Sequence, residues 1–552
     1  MPPGRSNPFP MDKPNQYATH AAGIAAAWAA LICLAVYLRA LGCDFINFDD
    51  PYYVIDNPGI RILDWQFIRE AFTTSYLGWW MPLTWASFAI DYYFWGLDPH
   101  GYHLTNILLH ALNAGLVVLV ADRLLRRWQG EWSGGRTSFL YPAVLLLAGL
   151  LWGIHPLRVE SVAWVTERKD VLNGVFALGS IFSYLCYADR KDNGRMGARS
   201  AYAVSLALFL LSLMAKPVSV VIPAMLLVLE WYPLGRLSRE NVVKRVAEKL
   251  PFFALALAVV AATITLASGE SILVSFHVFP LYKRIILAGS SLFAYLRMTV
   301  FPVGLVNLYL LPRVFPASYY LAALLILALT CFCFFSWKRR PGLLAAWLLF
   351  VLPLLPVLGF LQNGSQAYAD RFTYLPGVAL SIGGAGLLGG MVSRCRGRSR
   401  QLVVALAVAA IILCGAVSFH LIGAWKNSET LWSRVITVEP IGRAFYLRAD
   451  YRQQKGRYLE AAADLADSIA IGERDGFPGV FNLHALRGDA FNRAGRYGDA
   501  VREFTAAINL KPVPEYFYHR GTALMALGRG EEAAADFSEA GDATGPIAWE
   551  VN

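Results

Sequence analysis

The sequence predicts an all-α, polytopic membrane protein of about eleven transmembrane helices, followed at its C-terminus by a small helical solenoid. Three observations carry that prediction. The 552 residues are 56% hydrophobic and only 16% charged, with a mean hydropathy of +0.44, which suits many buried spans rather than one soluble core. Lys and Arg gather in short clusters at every second break between apolar runs. From about Trp425 onward, small and aromatic residues recur at an offset of 33 residues.

Crossing a bilayer takes roughly 17–25 apolar residues. Runs of about that length occupy 21–41, 101–122, 139–155, 171–188, 201–215, 217–232, 251–268, 319–336, 342–361, 374–392 and 402–422. The breaks after the even-numbered runs carry Arg123/Arg126/Arg127, Arg190/Lys191/Arg195/Arg199, Arg236/Arg239/Lys244/Arg245/Lys249, Lys338/Arg339/Arg340 and Arg394/Arg396/Arg398/Arg400. Basic loops stay cytoplasmic, so the N-terminus (1–20) is expected in the cytoplasm and everything after Leu421 outside. The apolar segment Leu281–Val303 breaks this alternation and contains Lys283, Arg284 and Arg297. It is read as a helix at, or partly entering, the outer face, with a twelfth span as the alternative. The first apolar run is too long for a signal-peptide core and lacks a small-residue cleavage site, so it reads as a retained span.

This arrangement excludes several function classes. The net charge of +10 does not point to nucleic acid, because the cations punctuate the spans rather than form a patch. Seven cysteines without a CxxC pair, five of them (Cys33, Cys186, Cys331, Cys333, Cys414) in or beside apolar runs, imply neither a disulfide framework nor a zinc site. No P-loop, dinucleotide motif or Ser-His-Asp order is present. His103 and His110, one helical face apart with Asn106 between them, are expected to make interhelical hydrogen bonds rather than bind metal.

Within the expected transmembrane domain, 21–424, the loop 42–100 falls outside. It holds Asp44, Asp49, Asp50, Asp56, Asp64, Glu70, Asp91 and Asp98 against Arg61 and Arg69. Its patterned, aromatic-rich stretches, such as LDWQFIREAF, read as short interfacial helices. In the C-terminal part, 425–552, Gly488, Ala500, Phe504 and Ala507 recur as Gly521, Ala533, Phe537 and Ala540, with a weaker copy at Ala449, Ala461, Leu465 and Ser468. The turns GRY (Gly456, Gly495) and GRG (Gly528) divide each unit into two helices. This resembles the tetratricopeptide repeat, in two or three copies with a capping helix near Asn427–Val438, and repeats of that kind bind partner segments.

Charged residues where the charge bias disfavours them mark the candidate site. HPLRVESVAWVTERKD places His155, Arg158, Glu160, Glu167, Arg168, Lys169 and Asp170 after the third run. Lys216 follows the fifth, and AYADRFTYLP brings Asp370, Arg371 and Tyr374 after the ninth. All fall on the expected outer face, with Asp49 and Asp50. Basic side chains there suit the phosphate of a lipid-linked donor, and a carboxylate suits deprotonation of an acceptor hydroxyl. The plainer reading is that these charges pair across loop ends, as Arg158 with Glu160 or Arg168 with Asp170 could. Asp49 is the expected base, Asp50 either its companion or a helix cap before Pro51. No metal site is expected, although adjacent aspartates leave a divalent cation open.

FINFDDPYYVIDNP, HPLRVESVAWVTERKD, AKP, YADRFTYLP and WKNSETLW leading into helical repeats occur in the order found in the transmembrane and tetratricopeptide repeat-containing family, which this chain resembles over nearly its whole length. The resemblance implies a GT-C glycosyltransferase similar to protein O-mannosyltransferases, using a polyprenyl-phosphate-linked sugar on the non-cytoplasmic side and inverting the anomeric carbon. It implies that Asp49, with Asp50, occupies the catalytic acidic position. Arg371, supported by Arg168, Lys169 or Lys216, would stabilise the departing phosphate, while His155, Arg158, Glu160, Asp170, Asp370 and Tyr374 would line the substrate site. The repeat domain would dock the protein acceptor. The Ala-, Gly- and Arg-rich composition points to a bacterial inner membrane with a periplasmic repeat domain. Two rival readings stay open: a membrane-anchored repeat scaffold without catalysis, and a transporter of lipid-linked sugar.

Overall fold

A computed structural model describes residues 16–128, 139–266, 276–360 and 364–547. Helix makes up 78% of the structure. The one sheet among the described residues is a two-stranded antiparallel ribbon, with Tyr309 opposite Tyr368 and Leu310 opposite Gln366. The chain packs as two units, Met1–Cys43 with Tyr52–Gly423, and Asp44–Pro51 with Ala424–Asn552.

Among the described residues six helices are long and apolar enough to cross a membrane: His20–Gly42, Pro99–Arg126, Val165–Asp192, Ala198–Ala215, Ala317–Phe335 and Gly397–Lys426. Leu140–Gly153 and Pro156–Ala163 make a seventh if counted together, bent by 53° at their junction. The bend has a local cause. Pro156 cannot donate to the preceding turn, and it holds His155 extended at φ −68°, ψ 137°. Pro217–Trp231, Leu250–Leu266 and Pro341–Val357 are shorter apolar helices. A polytopic all-α membrane protein follows.

Leu281–Val300 forms one continuous helix. It lies tight against Ala317–Phe335, because a Cβ on Gly289 would come within 2.7 Å of the Ala323 methyl group. Arg284 is buried there and donates to the carbonyl oxygens of Phe279 and Phe360 at 2.8 and 2.9 Å, so this cation is held by backbone dipoles. The 52–98 stretch forms two helices of useful length, Trp65–Thr73 and Pro82–Trp95. The first is capped by Asp64, whose carboxylate accepts the Phe67 N–H at 2.8 Å. It buries Phe67 and Ala71 while leaving Trp65, Ile68 and Phe72 exposed. Tyr93 and Phe94 are each 71% exposed on the second helix, an apolar surface suited to a membrane interface.

In the second unit seven helices follow one another: Ser428–Val438, Gly442–Gln454, Tyr458–Asp475, Val480–Arg493, Tyr497–Leu510, Pro514–Ala526 and Gly530–Ala540, each packed on the next. Asn427 and Thr430 form a reciprocal capping box that starts the first. Gly456, Gly495 and Gly528 turn the chain at φ 73°, 72° and 75°, a left-handed region that side-chain-bearing residues avoid. Gly488 and Gly521 serve a different need. A Cβ on either would meet the ring of Phe504 or Phe537 at 3.0 and 2.8 Å, so these are contact points between paired helices. One ion pair also recurs, Arg448 with Asp464, Arg487 with Glu503 and Arg520 with Asp536, at 2.6, 3.1 and 2.7 Å. It ties the helices of each successive pair together.

Gly521→Ala should destabilise the second unit by about 1–3 kcal/mol, since the Phe537 ring must leave its place. Thermal unfolding of the full chain in detergent, followed at the C-terminal helices, checks this. An unchanged midpoint would mean that the helices do not approach as closely as described.

Candidate functional site

Three separate segments of the first unit bring their charges to one place. Pro156 and Pro217 each end a helix and force the preceding residue extended, so the chain leaves its apolar run where the charged residues begin. Asp170 lies in the first turn of the Arg168–Asp192 helix and Lys216 just past the end of Ala198–Ala215. Both placements suit the helix dipole, acid at the N-terminus and base at the C-terminus. Asp370 and Arg371 open a single 3-10 turn after the strand Gln366–Tyr368.

Glu167 is the centre of the cluster. Its Oε1 lies 2.9 Å from Lys169 Nζ and 3.3 Å from Arg371 Nε, and its Oε2 lies 3.6 Å from Lys216 Nζ. Arg371 is fixed further by Glu160, which accepts its backbone N–H at 2.8 Å and its Nη1 at 2.5 Å, and by Gln366, which accepts Nη2 at 2.8 Å. Lys216 also donates to Asp170, whose other oxygen accepts the Ser161 hydroxyl at 3.2 Å. Exposure is graded: the Glu167 and Glu160 side chains are 1% and 3% exposed, those of Arg371, Lys169 and Lys216 9%, 12% and 15%. Asp170, at 7%, is nearly as exposed as Arg371, so Glu160 and Glu167 are the most enclosed members of the cluster and the two lysines the most accessible. Aromatic faces back the cations, Tyr53 at 4.9 Å from Lys169 Nζ and Phe372 at 5.0 Å from the Arg371 guanidinium.

The remaining first-unit candidates have other duties. Arg168, completely buried, donates to Asp91 at 2.6 Å, the Tyr102 carbonyl at 2.8 Å, Ser87 at 2.6 Å and Asn106. It thereby joins Pro82–Trp95 to the Pro99–Trp128 helix, and Asp91 rather than Asp170 is its carboxylate. Arg158 does not pair with Glu160 either; it lies buried over the rings of Trp152 and Tyr374, 5.7 and 5.8 Å away. His155 accepts the Leu157 N–H at Nδ1 and donates from Nε2 to the Thr299 carbonyl at 3.0 Å, which assigns the proton to Nε2. Its ring pins the helix break.

Tyr374 holds the Arg371 turn from below. His110 Nε2 faces only the Gly153 carbonyl, 2.8 Å away, and so carries the proton; Nδ1 then accepts the Tyr374 hydroxyl at 2.9 Å. Asn113 donates to the same hydroxyl at 3.0 Å, and Trp152 to the Tyr374 carbonyl at 2.8 Å. His110 thus makes the interhelical bonds expected of it. Asp370 accepts the Tyr309 hydroxyl at 2.9 Å. Burial, reinforced by the charge of Glu160, pushes the Asp370 carboxyl well above the usual carboxylate range.

Sequence reasoning gave Glu167 no task, and it passed over Gln366, Tyr309 and Asn113 altogether. Glu167 was visible as a fourth acid in an already charged motif. The others carried no signal, because uncharged polar residues in apolar surroundings are common. Asp49 and Asp50 belong to the second unit. Asp50 is fully buried and its Oδ2 accepts the Ile46 N–H at 2.8 Å, closing the turn that precedes it, while Asp49 is partly buried. Among the described residues no group of three or more His, Cys, Asp or Glu side chains is placed to hold a metal ion.

The fold and the cluster define a class: a polytopic helical membrane protein with buried acids among basic side chains where its loops meet. Human protein O-mannosyl-transferase TMTC4 is 30% identical over 240 residues, 40% of this chain and 32% of that protein. Tmtc1 of Drosophila melanogaster is 30% identical over 224 residues, 39% of this chain and 23% of that protein. The protein O-mannosyl-transferase tmtc2 of Xenopus laevis is 31% identical over 173 residues, 29% and 18%. The chain is thus similar, at about 30% identity, to several protein O-mannosyl-transferases of the TMTC type. It spans about a third or less of the length of the curated relatives named here. No family profile and no solved structure matches it.

Two outcomes follow from the geometry. Asp91→Ala leaves the Arg168 guanidinium buried without its carboxylate, and should lower stability by about 3–5 kcal/mol; thermal unfolding in detergent measures it. For Asp370 the folded-state carboxyl binds its proton more tightly than the unfolded one. Its contribution to stability is therefore complete below the unfolded value of 3.8 and is lost as pH rises through the folded value. The unfolding midpoint of the parent protein should accordingly decline as pH is raised from 4 toward neutrality, and Asp370→Asn should remove that decline.

Proposed function

We propose that this protein is an inverting glycosyltransferase that moves a sugar from a polyprenyl-phosphate-linked donor to a hydroxyl on a protein acceptor, at the non-cytoplasmic face of the membrane. The observation that carries the reading is the gathering of Lys169, Lys216 and Arg371 around buried carboxylates, at two helix ends and in the turn after the strand Gln366–Tyr368. A scaffold has no need of such a cluster. The relatives' names make mannose the sugar of choice.

In this reading the three cations bind the lipid phosphate. Arg371, locked by Glu160 and Gln366, presents a fixed guanidinium, while the two lysines follow the phosphate on flexible stems. As the sugar–phosphate bond breaks, negative charge grows on the phosphate oxygens and the interaction strengthens, which is the condition for lowering the barrier. Asp49 takes the proton of the acceptor hydroxyl, whose oxygen attacks the anomeric carbon opposite the leaving phosphate, so the configuration inverts. Arg168 acts by holding helices rather than by touching the donor. His155, Arg158, Glu160, Asp170, Asp370 and Tyr374 shape the donor site. Eleven crossings put the N-terminus in the cytoplasm and the second unit, a tetratricopeptide-type solenoid that docks the acceptor, in the periplasm of a bacterial cell.

Transfer of radiolabelled mannose from polyprenyl phosphate in proteoliposomes tests the assignment. Arg371→Ala should reduce kcat about 10²–10³-fold, the usual cost of deleting one donor to developing charge, and Asp49→Asn should abolish transfer. Full activity of both variants, with loss only on truncation after Leu421, would establish the scaffold reading instead. Orientation is checked separately: a cysteine at Gly498 should react with an impermeant thiol reagent from outside intact spheroplasts.

A further inference from the structure

The motif FINFDDP is anchored in the second unit by its asparagine. Asn47 donates its backbone N–H to Ser428 Oγ at 2.9 Å. Its Nδ2 donates to the Leu447 carbonyl at 2.8 Å and to Asp450 Oδ2 at 2.7 Å, and its Oδ1 accepts the Trp432 indole N–H at 2.8 Å. The amide orientation is unambiguous, since an indole N–H can only donate and a carbonyl oxygen can only accept. Neighbouring residues add to the hold. The Asp44 backbone N–H donates to the Lys426 carbonyl at 2.8 Å, Ile46 is 1% exposed, and Phe48 meets Trp432 edge-on at 5.6 Å with the Arg443 guanidinium over its ring at 5.3 Å. Asp50 then reaches back to the Ile46 N–H at 2.8 Å.

We infer that Asn47 is a positioning residue for the acidic turn, and that the first two helices of the C-terminal unit form the socket that holds Asp49 in place. The inference rests on Asp49 being the base. Asp49 is two residues from Asn47, so a fixed Asn47 confines it to about 7 Å of chain reach, and the Asp50–Ile46 bond narrows this further. The C-terminal unit thus has a second task beside docking acceptors: without it, the catalytic turn has no fixed conformation. A docking surface alone would affect only long acceptors, through KM. A socket for the base affects every acceptor, through kcat.

The test uses the full chain in lipid nanodiscs, with polyprenyl-phosphate mannose and a short Ser/Thr peptide as acceptor. Trp432→Phe removes one donor and keeps an aromatic, though smaller, side chain; Asn47→Ala removes the anchor. Both should speed hydrogen–deuterium exchange in residues 44–51 about tenfold or more, and lower kcat by a similar factor with KM for donor and peptide within about twofold. Unchanged exchange in both variants would overturn the socket. So would faster exchange with unchanged kcat while Asp49→Asn is inactive. Asp49→Asn transferring like the parent protein would overturn the base assignment, and with it the catalytic purpose of the socket.

Discussion

Everything in the membrane unit's polar centre depends on how Glu167 is kept charged out of water. A carboxylate at 1% exposure is costly unless cations reach it, and here three do, from three stretches of chain far apart in sequence. Lys169 comes from its own turn, Lys216 from the end of one helix and Arg371 from a 3-10 turn more than two hundred residues on. Each cation has a further anchor in the same unit: Glu160 and Gln366 for Arg371, Asp170 for Lys216 and the Thr166 carbonyl for Lys169. Removing Glu167 would therefore loosen three loop ends at once. The same arrangement leaves the two lysines more exposed than the acids, which is what a phosphate-bearing ligand requires.

Below this layer a neutral hydrogen-bond chain does the complementary work. Asn113, Tyr374 and His110 connect the Pro99–Trp128 helix to the Arg371 turn and to the end of Leu140–Gly153. Arg168 connects the same long helix to Pro82–Trp95. The long helix is thus a common reference from which both the charged turn and the neighbouring helices are set.

The helical class, the apolar runs and the charged motifs could be read from composition and periodicity, because these depend on local residue patterns. The interest of HPLRVESVAWVTERKD and YADRFTYLP was visible for the same reason: charges beside apolar runs are rare enough to stand out. What the sequence did not reveal was partnership. Arg168 and Arg371 look alike in their motifs, yet one is enclosed by Asp91, Ser87, Asn106 and the Tyr102 carbonyl while the other joins the Glu167 cluster. That difference is set by helix packing across the unit. FINFDDP shows the same limit. Its aspartates drew attention as acids near a membrane, whereas Asn47, uncharged and unremarked, makes four hydrogen bonds in the second unit.

Whether the three cations hold the donor phosphate is tested most directly by a structure of the full protein with a polyprenyl-phosphate sugar bound. The phosphate should lie within hydrogen-bond reach of Arg371 and of at least one of Lys169 and Lys216, with Glu160 still holding Arg371. A phosphate bound away from all three cations would contradict this binding mode.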